Sequence, residues 1–258
     1  MFSQHEPEGH SVSGPGRVGR TAGTVAASYS IVVPPGFVRV PGGMDAPDAA
    51  AFVAEQLGDQ PAPGTGTAPD DWRMRFGSAL GRALAADVNG RVLDSYLSAG
   101  PLPGTDIVCS IVVASVPVTR TPHADLDRLL LRRVATHGAA PIVLAGDPAV
   151  VWTDPAAEAP AQDDRAAPDE VADLTPLRRR TVLTRVAGHD DRLLTLVLTI
   201  GSATDASAAP GDADADTGSD IDARTRIVDA VTDVFDAMLS TFRWRDAEGR
   251  LVTDRPLA

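Results

Sequence analysis

SDIDARTRIVDAVTDVFDAMLSTFRW, residues Ser219–Trp244, is the stretch that decides the fold. Ile221, Val228, Phe235 and Phe242 recur every seven residues, and Ile227, Val231, Val234 and Met238 fill the same side. That spacing predicts one helix with a broad apolar stripe along its length. Ser219 stands where an N-cap is wanted, and Asp222 holds the acid position of a capping box. Such a helix gains most of its stability from tertiary burial, so the stripe requires a flat apolar partner.

The strands that could supply it come in pairs. Ile107–Val116 is nearly all apolar, which predicts a central strand with both faces covered. Arg178–Val186 and Arg192–Ile200 read as a hairpin across Gly188-His-Asp-Asp191, with Leu194, Leu196, Leu198 and Ile200 on one face. Pro141–Ala145 and Ala149–Trp152 read as a second hairpin across Gly146-Asp147. Val92–Leu97 is a further strand, and Ser28–Val40 reads as two strands around the turn Pro34-Pro35-Gly36. Helices interrupt this pattern irregularly: one from Pro47 to about Gly58, one from Asp70 or Asp71 to about Asn89, and one opened by Thr121-Pro122 and closed by Gly138, with Leu126, Leu129, Leu130 and Val134 inward.

Paired strands without a βαβ rhythm predict an α+β fold: an antiparallel sheet of about six strands with helices packed on it and a long C-terminal helix. Composition divides the chain into a disordered tail at 1–27, a single domain at 28–245 with mobile loops at 154–176 and 202–218, and a C-terminal tail at 246–258.

A formal charge of −12 and a pI near 4.7 argue against nucleic acid and anionic membrane surfaces as partners. Every basic side chain is an arginine. No run reaches the ~20 apolar residues of a membrane helix, and the N-terminus lacks the apolar core of a signal peptide, so the expected location is cytoplasmic. Cys109, the one cysteine, excludes an intrachain disulfide and reads as a small buried hydrophobe in a strand core.

Candidate chemistry is sparse. His5, His10, His123, His137 and His189 form no paired-ligand spacing and read as surface residues, His137 complementing a helix C-terminus. Gly14-Pro-Gly-Arg-Val-Gly19 matches a dinucleotide fingerprint only in letters, since neither a strand nor a helix flanks it. The run from Asp212 to Asp222 mimics the start of a calcium loop, but its glycine falls one residue late and Ala223 stands where the closing glutamate belongs. Arg178-Arg179-Arg180 reads as a solvated strand edge guarding against strand addition. No nucleophile elbow or phosphate loop is present, and we assign no catalytic, cofactor-binding or metal residue from the sequence.

Two segments, Ile31-Val-Val-Pro-Pro-Gly-Phe-Val-Arg-Val-Pro41 and Phe235-Asp-Ala-Met-Leu-Ser-Thr-Phe-Arg-Trp244, resemble the opening and closing motifs of an uncharacterised actinobacterial family. Phe37 takes the place of an opening aromatic that is often Trp. Some members of that family look to be encoded near type VII secretion genes. In outline the chain is also similar to the Mog1/PsbP-like α/β sandwich, with its opening hairpin and closing helix, a fold that binds partners. The resemblance, with the acidic surface, leads to the expectation of a non-enzymatic protein-interaction domain with a protein partner, accessory to type VII secretion and without a cofactor. The alternatives are a small-ligand binding protein or enzyme with a pocket between sheet and helices, and a self-assembling structural protein.

Overall fold

The computed structural model describes residues 25–57, 91–118, 126–155, 175–202 and 217–252. Among them are the strands β1 (Ser28–Ser30), β2 (Phe37–Pro41), β3 (Val92–Ser98), β4 (Ile107–Pro117), β5 (Ala140–Leu144), β6 (Asp147–Pro155), β7 (Thr175–Arg185), β8 (Arg192–Ser202) and β9 (Arg243–Arg245). The helices are α1 (Ala46–Leu57), α2 (Leu126–His137) and α3 (Thr217–Ser240). The helix expected at 70–89 lies outside the described residues, as do Thr121, Pro122 and the tail up to residue 24.

The architecture is α+β. Seven strands form one sheet in the order β2-β3-β4-β8-β7-β6-β5, each pair antiparallel. β8 is the centre, and β4 pairs with it from Ile107↔Ser202 to Pro117↔Arg192. On one face Leu194, Leu196, Leu198 and Ile200 of β8 meet Ile107, Cys109, Ile111 and Val113 of β4 and Val182 of β7, all buried. The alternate residues of β4, such as Val108 and Val112, are only half-buried, so the uniform apolarity of this strand overstates how fully its second face is covered.

α3 lies on the first face with Val228, Phe235, Met238 and Leu239 turned inward. α1 and α2 sit on the opposite face. α1 packs Ala49 and Val53 on Val40 and Leu97, and α2 packs Leu126 and Leu130 on Val150, Leu183 and Leu193. Gly138 ends α2 at φ +61, a conformation that glycine adopts without strain.

The predicted closing helix is shorter than its apolar pattern. It stops at Ser240, where Ser240 Oγ donates to Ala237 O and Thr241 Oγ to Met238 O, satisfying the terminal carbonyls. Phe242 and Trp244 therefore stand beyond the helix. Trp244 lies on β9, which pairs with β1 as a separate two-stranded sheet. Both aromatics are buried: Phe242 stacks on Tyr29 with centroids 5.4 Å apart and meets Trp244 edge-on at 4.9 Å. Two residues expected in the stripe face solvent, Ile221 at 63% and Val234 at 49% exposure. Arg224 bonds Asp106, the residue before β4, and so marks the sheet's end; Ile221 lies about a turn beyond it. Val234 is rotated by roughly a quarter turn from Phe235.

The opening segment also departs from expectation. β1 and β2 belong to different sheets and do not pair with each other. Ala26 is buried, Ala27 N–H donates to Arg245 O at 2.8 Å, and Val252 N–H returns to Trp244 O at 2.9 Å, so residues flanking 28–245 join the same assembly.

The β5–β6 hairpin turns through Ala145 and Gly146, both at positive φ, as a two-residue primed turn requires. In such a hairpin Leu144 and Asp147 bond each other, so by alternation Pro141 points its missing N–H toward open solvent on the sheet's edge. Among the described residues no helix is long and apolar enough to cross a membrane.

Replacing Trp244 by Ala should cost ~3–5 kcal/mol in urea denaturation, as for a core aromatic, whereas Ile221→Ala should change stability by no more than about 0.5 kcal/mol, as for an exposed site.

Candidate functional site

Arg178 and Arg180 are two residues apart on β7, so both point at α3. Asp229 and Asp236 are seven residues apart on α3 and so return to nearly the same side after two turns. The helix rises ~10.5 Å over that interval against ~6.7 Å for two strand residues, and the long arginine side chains bridge the difference. Arg178 Nη1 donates to Asp229 Oδ1 at 2.6 Å and to Thr232 Oγ1 at 3.1 Å. Arg180 is bidentate on Asp236, at 2.8 Å through Nε and 2.7 Å through Nη2, and its Nη1 reaches Thr153 Oγ1 at 2.9 Å. These side chains and Asp233 line an open cleft of about 600 Å³ between helix and sheet.

The arginine cluster is thus neither a sheet edge nor a solvated guard. β7 lies between β8 and β6, and only Arg179, on the other face, is exposed. Two guanidinium groups are neutralised by two carboxylates, and a third carboxylate leaves the cleft net negative. Its lining of Thr, Arg and Asp offers hydrogen bonds along a groove and holds no thiol or imidazole.

A second polar cluster joins the two sheets. A bulge at Leu93 breaks the β3–β4 register between Val92 and Asp94, while Asp94 shares the α3 face with Tyr96 by alternation. Gly42 closes over the bulge, its N–H on Leu93 O at 2.9 Å; a Cβ there would lie 1.9 Å from Val92 O, so only glycine fits. The buried Asp94 carboxylate accepts Arg39 Nε at 2.7 Å and the Tyr29 hydroxyl. Burial, then the bond to Asp94, pushes the Tyr29 phenol far above its ordinary range, and burial raises Tyr96 beside it. This arrangement locks β1 to β3 and leaves no free acid or base.

Two smaller clamps repeat the pattern. Asp106 accepts the Ser202 hydroxyl and Arg224 Nη2 at 3.0 Å, tying α3 to the ends of β4 and β8. Asp246 accepts the N–H groups of Glu248 and Arg250 and Arg250 Nε at 3.0 Å. Desolvation raises the Asp246 carboxyl, but these donors outweigh it and hold the group below the usual carboxylate range.

The other sequence candidates stay apart. Cys109 is buried on β4, and desolvation pushes its thiol up to about 12. His137 is exposed at the end of α2, with Arg133 Nη1 at 2.8 Å and its ring stacked on Trp152. His189 is half-buried in the β7–β8 turn, Nε2 at 2.9 Å from Ala26 O, rather than a free surface residue. His5, His10 and His123 lie outside the described residues, as does the acidic run up to residue 216; from Thr217 that run is α3. Asp94 escaped notice in the sequence, where its one signal is a lone acid in an otherwise strand-like VLDSYLS.

No protein-family model, curated protein or solved structure matches this chain.

Both tyrosines of the chain lie in the Asp94 cluster, which makes ionisation easy to follow. Their folded pKa values are raised, so their contribution to stability is full below the unfolded value of about 10 and is lost as pH rises above it. Tyrosinate absorbance should therefore appear only together with alkaline unfolding; a tyrosinate signal with intact circular dichroism would contradict the burial. Cys109 should react with a disulfide reagent at neutral pH only when the chain unfolds, since its thiolate fraction in the folded state is negligible.

Proposed function

We propose that this chain is a non-enzymatic protein-interaction domain that docks through the outer side of α3. One observation carries the reading: α3 has apolar side chains on two sides. The inner set, with Phe235 and Met238, accounts for its attachment to the sheet. Val234, nearly half exposed between exposed Ala230 and Ala237, contributes little to that attachment, and Ile221 is still more open. Val234, Ala230 and Ala237, grouped on one side and rimmed by charge, fit a partner groove or helix, because covering them gains ~25 cal/mol per Å².

The cleft charges support the same reading. Asp229 and Asp236 are occupied by arginines, so they serve as fixed hydrogen-bonding groups. Asp222, Asp229 and Asp233 stand exposed on α3, which favours a partner with a basic contact face. The resemblance to the actinobacterial family adds a setting, as an accessory to type VII secretion.

The cleft also favours a second reading, small-ligand binding between sheet and helix. A ligand there must compete with Asp229 and Asp236 for Arg178 and Arg180, or use Asp233 for a cationic group.

A photo-crosslinking residue placed at Val234 in cells should give a discrete protein adduct, while the same residue at exposed Ala247 should not. Equal diffuse labelling at both positions would overturn the docking reading.

A further inference from the structure

α2 is a basic helix on an acidic chain. Arg128, Leu131, Arg132 and Ala135 fall at i, i+3, i+4 and i+7 on its outer side, all exposed, Leu131 to 66%. On α3 the outer residues Ala230, Asp233, Val234 and Ala237 fall at the same spacing and are likewise exposed. One helix presents a leucine among arginines, the other a valine among aspartates. The two stand back to back across the sheet, with Leu183 of β7 under α2 and Val182 and Arg180 under α3.

We propose that these two faces are mates, so that α2 of one copy docks on α3 of the next and the chain associates head to tail. The proposal rests on the reading of α3 as a docking surface and deepens it by naming the partner as a second copy. Charge complementarity is the first argument: exposed Arg132 meets exposed Asp233 beside a Leu131–Val234 contact. Spacing is the second, since Ala135, Ala230 and Ala237 let two helices approach closely while the larger side chains interdigitate. The third is that the symmetric alternatives are opposed. A two-fold pair through α2 sets arginine against arginine, and one centred on Val234 of α3 sets Asp233 against Asp233. A heterologous contact between opposite faces continues as an open row and does not close as a dimer. The net charge of −12 per copy works against growth, but a Debye length of ~8 Å at physiological salt screens it more than the contact pairs. Association is therefore weak and concentration-dependent.

Sedimentation velocity of the full chain at physiological salt tests this. The wild type should sediment faster as concentration rises. Arg132→Glu and Asp233→Arg should each remain monomeric, the association constant falling by about tenfold or more, with unchanged circular dichroism because both positions are exposed. An equimolar mixture of the two variants should associate again, since Glu at 132 then meets Arg at 233 while the native pair forms at alternate contacts. A wild type that stays monomeric to millimolar concentration, variants that associate alone, or a mixture that does not recover would each overturn the proposal. A monomeric wild type whose position 234 still crosslinks to a different protein overturns self-pairing and leaves the docking reading intact.

Discussion

The burial of Phe235, Met238, Phe242 and Trp244 against the row Leu194, Leu196, Leu198 and Ile200 is the contact on which the rest of the molecule depends. Each fully buried side chain of this kind stabilises by ~1.5–3 kcal/mol. The Arg178–Asp229 and Arg180–Asp236 pairs beside it are partly exposed, and such pairs contribute ~0–1 kcal/mol. Apolar contact therefore holds α3 to the sheet. It is non-directional, however, and would tolerate sliding along the strands. The ion pairs add direction, because Arg178 reaches Asp229 and Arg180 grips Asp236 with both ends of its fork, and sliding would break both.

Carboxylate–arginine pairs recur elsewhere among the described residues. Asp94 accepts Arg39 between β2 and β3, Asp106 accepts Arg224 where α3 passes the sheet's end, and Asp246 accepts Arg250 in the turn after β9. Arginine suits this use better than lysine, since its planar fork fixes direction as well as charge. A chain without lysine has built its polar fastenings from one geometry. In the cleft under α3 these pairs present fixed donors and acceptors.

Much of the fold was legible because it rests on periodicity. The alternation in Leu194–Ile200 and the cap at Gly138 are local signals that stand where the sequence placed them, and the turn read at Gly146-Asp147 falls one residue earlier, at Ala145-Gly146. Misreadings arose where tertiary position overrode pattern. The heptad running on to Phe242 cannot reveal that two hydroxyl side chains end the helix at Ser240, with the aromatics continuing inward from an extended segment. Ile221 fits the stripe by angle and overhangs the sheet by length, a fact invisible without the sheet's edge. Arg178 and Arg180 look like a solvated run until α3, some fifty residues later, supplies the carboxylates. Asp94 shares the inward face with Tyr96 by alternation, but its partners Arg39 and Tyr29 come from more than fifty residues earlier, a pairing no local pattern shows.

The pairing of β1 with β9 carries a temporal consequence. Ser28 and Arg245 are register partners more than 200 residues apart. Translation at ~5–20 residues per second leaves the first strand waiting ten seconds or longer for its mate. The Tyr29 hydroxyl can meet Asp94 once β3 is made, but the backbone of β1 has no strand partner until residues 243–245 follow, so its pairing fastens both ends of the described fold late. Loop-closing cost over such a distance is set by chain length and grows only slowly with it. The delay belongs to the ribosome, and the small sheet acts as a clasp that shuts after the rest is made.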